Sequence, residues 1–267
     1  MRFALLSFAA VALAASAAAQ STFPYDHIHI LTPDPAASSK WFETNFGGKR
    51  ITEAPDRLMY GAVRLMFIKQ ANARPSAGSV IDHIGFSVPD IDAKMKQLEA
   101  NGVKITSPVR AIPNLAKVAF VEDPNGVRIE VIEDKDLIGL HHIHLRTPDP
   151  DAMFTWLQAK LGGEKTKFKG QMDALVYDVP GFSKVWILVQ KGDSVPSEGH
   201  AIDHIGWRSQ GPLKTTIDNL RGQGVQVLTE PRPLPLPNGP TINFSYIQGP
   251  AGAKIEIVER PGLKPGE

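Results

Sequence analysis

Cysteine is missing from all 267 residues, which excludes disulfide bonds, thiolate metal ligands and cysteine nucleophiles. A strong net charge is missing as well, because 29 Lys and Arg oppose 28 Asp and Glu and leave a formal charge of +1. The chain therefore gives no electrostatic reason to expect a nucleic-acid partner or an anionic membrane surface. What remains is an ordinary globular composition, with 42% hydrophobic and 21% charged residues.

The N-terminus has the pattern of an export signal. Arg2 precedes an apolar run from Phe3 to Leu13, and Ala17-Ala18-Ala19 fits the A-x-A cleavage rule. The apolar run is shorter than the ~20 residues that a membrane span needs. We expect residues 1–19 to be a cleaved signal peptide, so that the mature protein is periplasmic or secreted and has no membrane attachment.

The rest of the chain consists of repeats, which are the first feature to seek in a sequence of this length. The stretch "YDHIHILTPDPAASSKWFETNFGG" at 25–48 returns as "LHHIHLRTPDPDAMFTWLQAKLGG" at 140–163. The stretch "IDHIGFSVPDIDAKMKQLEANGVKIT" at 81–106 returns as "IDHIGWRSQGPLKTTIDNLRGQGVQVLT" at 202–229. The chain thus has two halves, and each half holds two related modules.

Each module is predicted to contain one strand, one helix and two or three further strands. Apolar alternation in "DHIHIL" is typical of a half-buried strand. Asp34 and Asp149 can cap helices that begin with Pro35 and Pro150, the favoured helical position for proline. Short apolar runs separated by turn residues follow each helix.

One module alone is too small to bury a core, so the modules must pair. We predict an α+β fold of four βαβββ modules in two pairs, each pair forming a curved sheet cup with its helices outside. Residues 20–136 are predicted to form the first domain and residues 137–267 the second, with two modules in each.

The repeats place two histidines at strand starts and one glutamate in a late strand of each half. These residues are His27, His83 and Glu130 in the first half, and His142, His204 and Glu256 in the second. One such histidine alone is usually a surface or capping residue, and one such glutamate is usually solvated. Their recurrence at matching module positions instead favours a metal site, because two imidazoles and a carboxylate leave open positions for substrate.

Four further polar residues share the predicted ligand face by period-two spacing. His29 and His144 are candidates for a ligand-supporting partner or a general acid or base, or they are polar residues lining the cup. Arg146 and Arg208 could pair with an anionic substrate, or they could reach solvent at the strand ends.

The segment "FVEDPNGVRIEVIEDKD" at 120–136 resembles the C-terminal strand of glyoxalase I. The repeats as a whole resemble the vicinal oxygen chelate superfamily, which includes glyoxalase I, extradiol dioxygenases and fosfomycin- and bleomycin-resistance proteins. The resemblance covers the chain after the signal peptide and implies paired βαβββ modules around metal. It also implies six metal ligands: His27, His83, Glu130, His142, His204 and Glu256.

Two positions distinguish members of this superfamily. Glyoxalase I has a fourth ligand, a glutamate, on the strand before the second histidine. Here Leu65 or Met66 and Trp186 or Ile187 are predicted to face that slot, which leaves a His-His-Glu pattern as in extradiol dioxygenases. Tyr246 matches an active-site tyrosine of those enzymes, and His144 would replace their acid/base histidine.

The first hypothesis is therefore an exported metal-dependent enzyme that binds a small oxygen-bearing substrate, with dioxygenase-like chemistry at Fe(II). The first alternative is a glyoxalase-like lyase or an isomerase that uses Zn, Mn or Ni. The second is a binding protein of the bleomycin-resistance type without catalysis. Substrate-binding is assigned to Arg146 and Arg208, and catalysis to Tyr246 and His144.

Overall fold

The computed structural model describes residues 22–51, 56–179, 181 and 183–263. The predicted signal peptide at 1–19 lies outside these ranges. Within them, no helix has both the length and the apolar character that crossing a membrane requires.

Sixteen strands and four α-helices occur in the described ranges, in four modules with the same order of elements. The first module comprises β1 (Tyr25–Thr32), α1 (Pro35–Phe46), β2 (Lys49–Arg50), β3 (Leu58–Tyr60) and β4 (Val63–Lys69). The second comprises β5 (Ile81–Val88), α2 (Ile91–Ala100), β6 (Lys104–Ile112), β7 (Ala116–Glu122) and β8 (Arg128–Glu133). The third comprises β9 (Gly139–Thr147), α3 (Pro150–Leu161), β10 (Glu164–Phe168), β11 (Met172–Val179) and β12 (Ser183–Lys191). The fourth comprises β13 (Ile202–Arg208), α4 (Leu213–Gly222), β14 (Val227–Pro235), β15 (Thr241–Gln248) and β16 (Lys254–Glu259). The predicted βαβββ order is confirmed.

The helix starts follow from local sequence. The Asp34 carboxylate accepts a hydrogen bond from the backbone N–H of Ala37, and Asp149 accepts one from Ala152, both at 3.0 Å. Each bond satisfies an N–H group that has no partner inside the helix. The two helices begin at Pro35 and Pro150 as predicted.

The modules form two eight-stranded sheets, and both sheets draw on both halves of the chain. One has the order β14-β15-β16-β13-β1-β4-β3-β2, and the other β10-β11-β12-β9-β5-β8-β7-β6. The first and fourth modules therefore pair, as do the second and third. The α+β class with two paired, curved sheets is confirmed, but the expectation that 20–136 and 137–267 each close their own sheet is wrong.

The lengths of the connections explain this pairing. Residues 134–138 join the second and third modules by a short link, which keeps both in one sheet. Residues 70–80 and 192–201 are longer and carry the chain across to the other sheet and back. Repeat similarity defines a module, but it does not encode which module lies beside which.

The core lies between the two sheets and their helices. Ile28 and Ile30 of β1 are fully buried in it. Tyr25 of one sheet packs against Tyr177 of the other, with ring centroids 6.3 Å apart. Because side chains alternate along a strand, His27 on β1 faces away from this core. The same alternation leaves one face of each sheet available for polar groups.

Candidate metal centres

Two clusters of histidine and glutamate lie at the middle of the two sheets. In each cluster one ligand atom per residue lies within 4.8 Å of all the others. The outer-module centre is defined by residues of the first and fourth modules: His27, His29, His204 and Glu256. The middle-module centre is defined by residues of the second and third modules: His83, Glu130, His142 and His144.

All six residues predicted as metal ligands lie in these clusters, but the predicted grouping by halves is wrong. His27 lies with His204 and Glu256, and His142 lies with His83 and Glu130. The cause is the module pairing, which brings β1 beside β13 and β5 beside β9. Sequence spacing could not show this, because all the contacts are long-range.

Each centre also contains a fourth residue, His29 or His144, two positions after a predicted ligand. Period-two alternation places each on the face of its strand that carries the first histidine. In the middle-module centre, His144 is 8% exposed and His142 is fully buried. Each centre therefore offers three imidazoles and one carboxylate.

Two glycines make room for the histidine rings. A Cβ placed on Gly85 would lie 2.1 Å from the His142 ring, and a Cβ on Gly206 would lie 2.1 Å from the His27 ring. In each case the ring leans across the central antiparallel pair onto the glycine opposite. This close approach explains the Ile-Gly pair that follows Asp-His in β5 and β13.

Carboxylates hold the histidines in the second and fourth modules. His83 donates from Nδ1 to Asp82 at 2.6 Å, and its Nε2 lies 3.0 Å from Glu130. Burial alone would lower the pKa of His83, but the hydrogen bonds to Asp82 and Glu130 outweigh it and raise the pKa. His204 has the same arrangement with Asp203 and Glu256. The aspartates thus fix the proton on Nδ1 and turn Nε2 towards the centre.

In the first module, Asp26 holds His27 and is itself surrounded by arginines. The Nδ1 of His27 lies 2.8 Å from the Asp26 carboxylate. Burial raises the pKa of Asp26, but Arg260, His27 and Arg64 outweigh it and keep the pKa well below its usual range. Arg208 also donates to Asp26, at 3.1 Å. Asp26 is therefore a buried anion that fixes a ligand.

Arg208, predicted to contact substrate, donates from its guanidinium to Asp26 and to the backbone oxygen of Leu263. Arg146 donates from Nε to the backbone oxygen of Asp193 at 2.8 Å. Neither arginine lies among the residues that line the cavity described below.

The third module departs from the other three, because His141 takes the place of the aspartate. Its Nδ1 lies 2.8 Å from Nδ1 of His142, and its Nε2 lies 3.4 Å from Asp134. Burial, followed by the charge of His142, lowers the pKa of His141 to about 3. A neutral His141 can accept the His142 proton at Nδ1 while donating from Nε2 to Asp134. The sequence shows this difference directly, because the first strand of the third module contains His141-His142 where the other modules have an Asp-His pair.

Tyr246 lies beside the outer-module centre. Its ring centroid is 4.9 Å from that of His204, and it pairs with Glu256 across β15 and β16. Burial and the Glu256 charge raise the pKa of its phenol, so Tyr246 is protonated at neutral pH. Phe120 holds the same position beside His83. Tyr246 and His144, both predicted as catalytic, therefore belong to different centres.

A cavity of about 300 Å³ opens at the middle-module centre, with His83, Glu130, His142 and His144 in its lining. Leu188 also lines it and pairs with His144 across β9 and β12. Met66 pairs with His29 in the same way. The strand positions opposite His29 and His144 are thus apolar in both sheets, and in the third module this residue is Leu188, whereas Trp186 pairs with His142.

The donor atoms suit a divalent ion. Nε2 of His27, Nε2 of His142 and both ring nitrogens of His144 are buried and have no hydrogen-bond partner within the described part of the chain. A buried polar atom without a partner is costly, and neutral imidazole nitrogen beside a carboxylate is a ligand set for a transition metal. The residues therefore fit a metal ion in both centres.

Part of the chain is similar in sequence to known proteins. Residues 25–131 match the model of the Glyoxalase/Bleomycin resistance protein/Dioxygenase superfamily. A 62-residue stretch is 37% identical to the lactoylglutathione lyases of Escherichia coli O157:H7 and Shigella flexneri. The matched stretch is 22% of this chain and 44% of each of those proteins, so the chain spans less than half the length of these relatives.

Solved structures show the same fold over most of the chain. Glyoxalase I from Zea mays superposes with a TM-score of 0.67 at 19% identity, covering 89% of this chain and 92% of that one. A candidate dioxygenase from Bacillus subtilis superposes with a TM-score of 0.64 at 17% identity, covering 91% and 87%. Residues 25–131 are thus similar to the Glyoxalase/Bleomycin resistance protein/Dioxygenase superfamily, and the remaining modules repeat the same order of elements.

Proposed function

We propose that the protein is a metal-dependent enzyme with two centres, each of which holds a divalent ion through three histidines and one glutamate. The observation that carries this proposal is the convergence of four ligand atoms within 4.8 Å in each sheet, on residues that are buried except for the partly buried His29. The buried ring nitrogens without partners support it. A pure binding protein would have no need to bury so many unpaired imidazoles, because each one costs folding free energy.

The ligand set favours Fe(II), with Mn, Ni and Zn as alternatives. Imidazole and carboxylate ligands suit all four ions. Four protein ligands complete a tetrahedral zinc site and leave it closed. An ion that accepts five or six ligands keeps positions free, and Fe(II) is such an ion. Bound there, the ion would polarise a substrate oxygen.

Residues around the two centres orient the histidine ligands and determine which hydrogen-bond donors face a bound substrate. Asp82 and Asp203 hold the protons of His83 and His204 on Nδ1, away from the ligand atom. Tyr246 keeps its proton and can donate a hydrogen bond beside the outer-module centre. In the middle-module centre Phe120 replaces that donor with an apolar ring. The two centres are thus unequal in what they offer a substrate.

For the reaction, we favour dioxygenase-like chemistry on a small substrate with two adjacent oxygens. Support comes from the His-rich ligand set and from Tyr246 beside the metal ligands. A lyase reaction like that of the lactoylglutathione lyases is the second candidate, favoured by the 62-residue stretch of 37% identity. Because we expect an export signal at 1–19, we propose that either reaction takes place outside the cytoplasm.

Metal analysis tests this proposal most directly. Purified protein supplied with Fe(II) under argon should retain two ions per chain. Glu130→Gln and Glu256→Gln should each retain one, and the double variant none. Glu99→Gln, on the exposed face of α2, is the matched control and should retain two. Protein that holds no ion after supply with Fe(II), Mn(II), Ni(II) or Zn(II) would refute the enzyme proposal.

Oxygen uptake then separates the two reactions. With iron bound, a catechol should be consumed together with dioxygen if the chemistry is dioxygenase-like. Turnover of a methylglyoxal–glutathione hemithioacetal without oxygen uptake would instead establish the lyase.

A further inference from the structure

The cavity at the middle-module centre is apolar over most of its wall. Side chains from five strands and one connection form this wall: Leu115, Phe120, Ile132, Phe168, Met172 and Leu188. Apolar walls of this kind bind ligands by removing apolar surface from water. The metal centre supplies the polar end of the cavity, so a ligand that reaches the ion must bring an apolar body with it.

Arg110 and Gln190 are the polar lining residues outside the centre. Arg110, on β6, is exposed, and no ion pair or hydrogen bond of its guanidinium occurs within the described ranges. Gln190, on β12, has a buried Nε2 that also lacks a hydrogen-bond partner among the described residues. Both groups are donors, and so they call for oxygen acceptors on the ligand.

The size of the cavity limits the ligand further. A volume of about 300 Å³ lies at the lower end of the range for small-molecule pockets, roughly 300–1,000 Å³. Only one permanent cation, Arg110, lies among the described lining residues. The one carboxylate in the lining, Glu130, is bonded to His83.

We propose that the middle-module centre acts on a compact, largely apolar molecule with one anionic group, and that Arg110 binds this group. The inference rests on the proposed function, because the reacting end of the molecule is held at the metal. Glutathione adducts do not fit this description. They carry two carboxylates and an ammonium, whereas the cavity offers one cation and mostly apolar wall.

Arg110 is distinguished from its counterpart in the fourth module. Arg232 occupies the equivalent position on β14, opposite Phe244, as Arg110 lies opposite Val118. The Arg232 guanidinium stacks 4.7 Å from the Phe244 ring. Val118 offers no such ring, so the side chain of Arg110 is left for a ligand.

The test uses the Glu256→Gln background, in which only the middle-module centre should hold iron. Iron content is measured first. Calorimetry under argon then compares 3,4-dihydroxyphenylacetate, 4-methylcatechol and S-lactoylglutathione. The first two share the chelating oxygens and an apolar ring, and they differ in the carboxylate.

We expect the carboxylate-bearing catechol to bind about tenfold more tightly than 4-methylcatechol, the size of effect expected for a hydrogen-bonded charge. Arg110→Ala should abolish this ratio and leave the affinity for 4-methylcatechol unchanged. Arg110→Lys should keep part of the ratio. Arg146→Ala removes an arginine outside the cavity and should keep all of it.

Equal affinity for the two catechols, no binding of either, or tighter binding of S-lactoylglutathione would overturn the inference while leaving the metal centre in place. A ratio that survives Arg110→Ala would show that Arg110 does not bind the anionic group. Absence of any ion from this background after supply with Fe(II), Mn(II), Ni(II) or Zn(II) would refute the proposed function itself, and the inference with it.

Discussion

The Nδ1 atoms of His141 and His142 lie 2.8 Å apart, so that one imidazole orients the next. The Nε2 of His141 in turn bonds to Asp134, and Asp134 accepts from Lys169 at 2.9 Å. The three other modules use a single aspartate for the same task. The middle-module centre therefore has one ligand that is held by a neutral group.

Removing that support should weaken metal binding. Partners that orient a metal-bound histidine typically contribute about 10–100-fold to metal affinity. His141→Ala should lower affinity at the middle-module centre by about that factor. His141→Asp restores the residue type found at Asp26, Asp82 and Asp203, and it should keep the affinity at least unchanged. Chelator competition with Co(II) measures both variants.

The visible spectrum of bound Co(II) provides a second measurement, because it reports ligand arrangement independently of folding. An unaltered affinity and spectrum in His141→Ala would show that His142 is held by packing alone.

His144 is expected to be a metal ligand that replaces the missing carboxylate of the neighbouring strand. His144→Ala should therefore lose one nitrogen ligand and bind metal more weakly. Adding Leu188→Glu places a carboxylate directly opposite, and it should restore much of the binding. A carboxylate two residues along the same strand, in His144→Ala with Gln190→Glu, should restore less. Competition assays give the order of affinities, and equal rescue by both glutamates would argue against a defined ligand position.

Gly85 should not accept even one added carbon. Gly85→Ala puts a Cβ 2.1 Å from the His142 ring, so the ring or the strand must move. Overpacking of this kind costs about 1–3 kcal/mol, and displacing the ring should also reduce metal content by one ion. Gly211→Ala is the control, since nothing lies within 4 Å of its Cβ position. Denaturant unfolding and metal analysis measure the two effects, and full metal retention in Gly85→Ala would contradict the ring placement.

Metal should stabilise the protein more as pH rises. Burial opposes protonation of His83, but its bonds to Asp82 and Glu130 leave the pKa above 6.5. In metal-free protein this raised pKa stabilises the fold below about 6.5, and that stabilisation is lost as pH rises through the folded-state pKa. A metal binds only the neutral imidazole, so its affinity for the site increases as His83 loses its proton. The difference in Tm between iron-loaded and chelated protein should thus grow above pH of about 6.5. A constant difference, or one equally present in the double Glu130→Gln, Glu256→Gln variant, would contradict this.

The sequence was informative where structure is local. Helix caps at Asp34 and Asp149, the βαβββ order and the shared face of His27 and His29 all follow from short-range spacing, and the structure confirms them. Module pairing was not predictable, because it depends on how far the connections at 70–80 and 134–138 reach. Because the predicted module pairing was wrong, the predicted grouping of the six metal ligands into two sites was wrong as well.

Arg110 was missed for a different reason. The pairing of β6 with β7 shifts register between Ile105 and Ser107 and again between Ser107 and Arg110. Each bulge exchanges the faces of the strand, so counting by twos from Ser107 fails to locate the guanidinium. For Arg208, period-two counting identifies the face of β13, but the hydrogen bonds of its guanidinium to Asp26 are long-range contacts that no sequence pattern reveals.

Because each sheet contains one module pair drawn from both halves of the chain, the two halves contact each other as two subunits of a dimer would, but they are joined covalently. A half-chain ending at 136 would hold His27, His29, His83 and Glu130, and it could not complete either centre. Two half-chains would need to meet, and their assembly would depend on protein concentration. The short link at 134–138 replaces that bimolecular step by an intramolecular one, with an effective concentration on the order of millimolar. Both centres can therefore form in a protein diluted far below the concentration at which separate halves would associate.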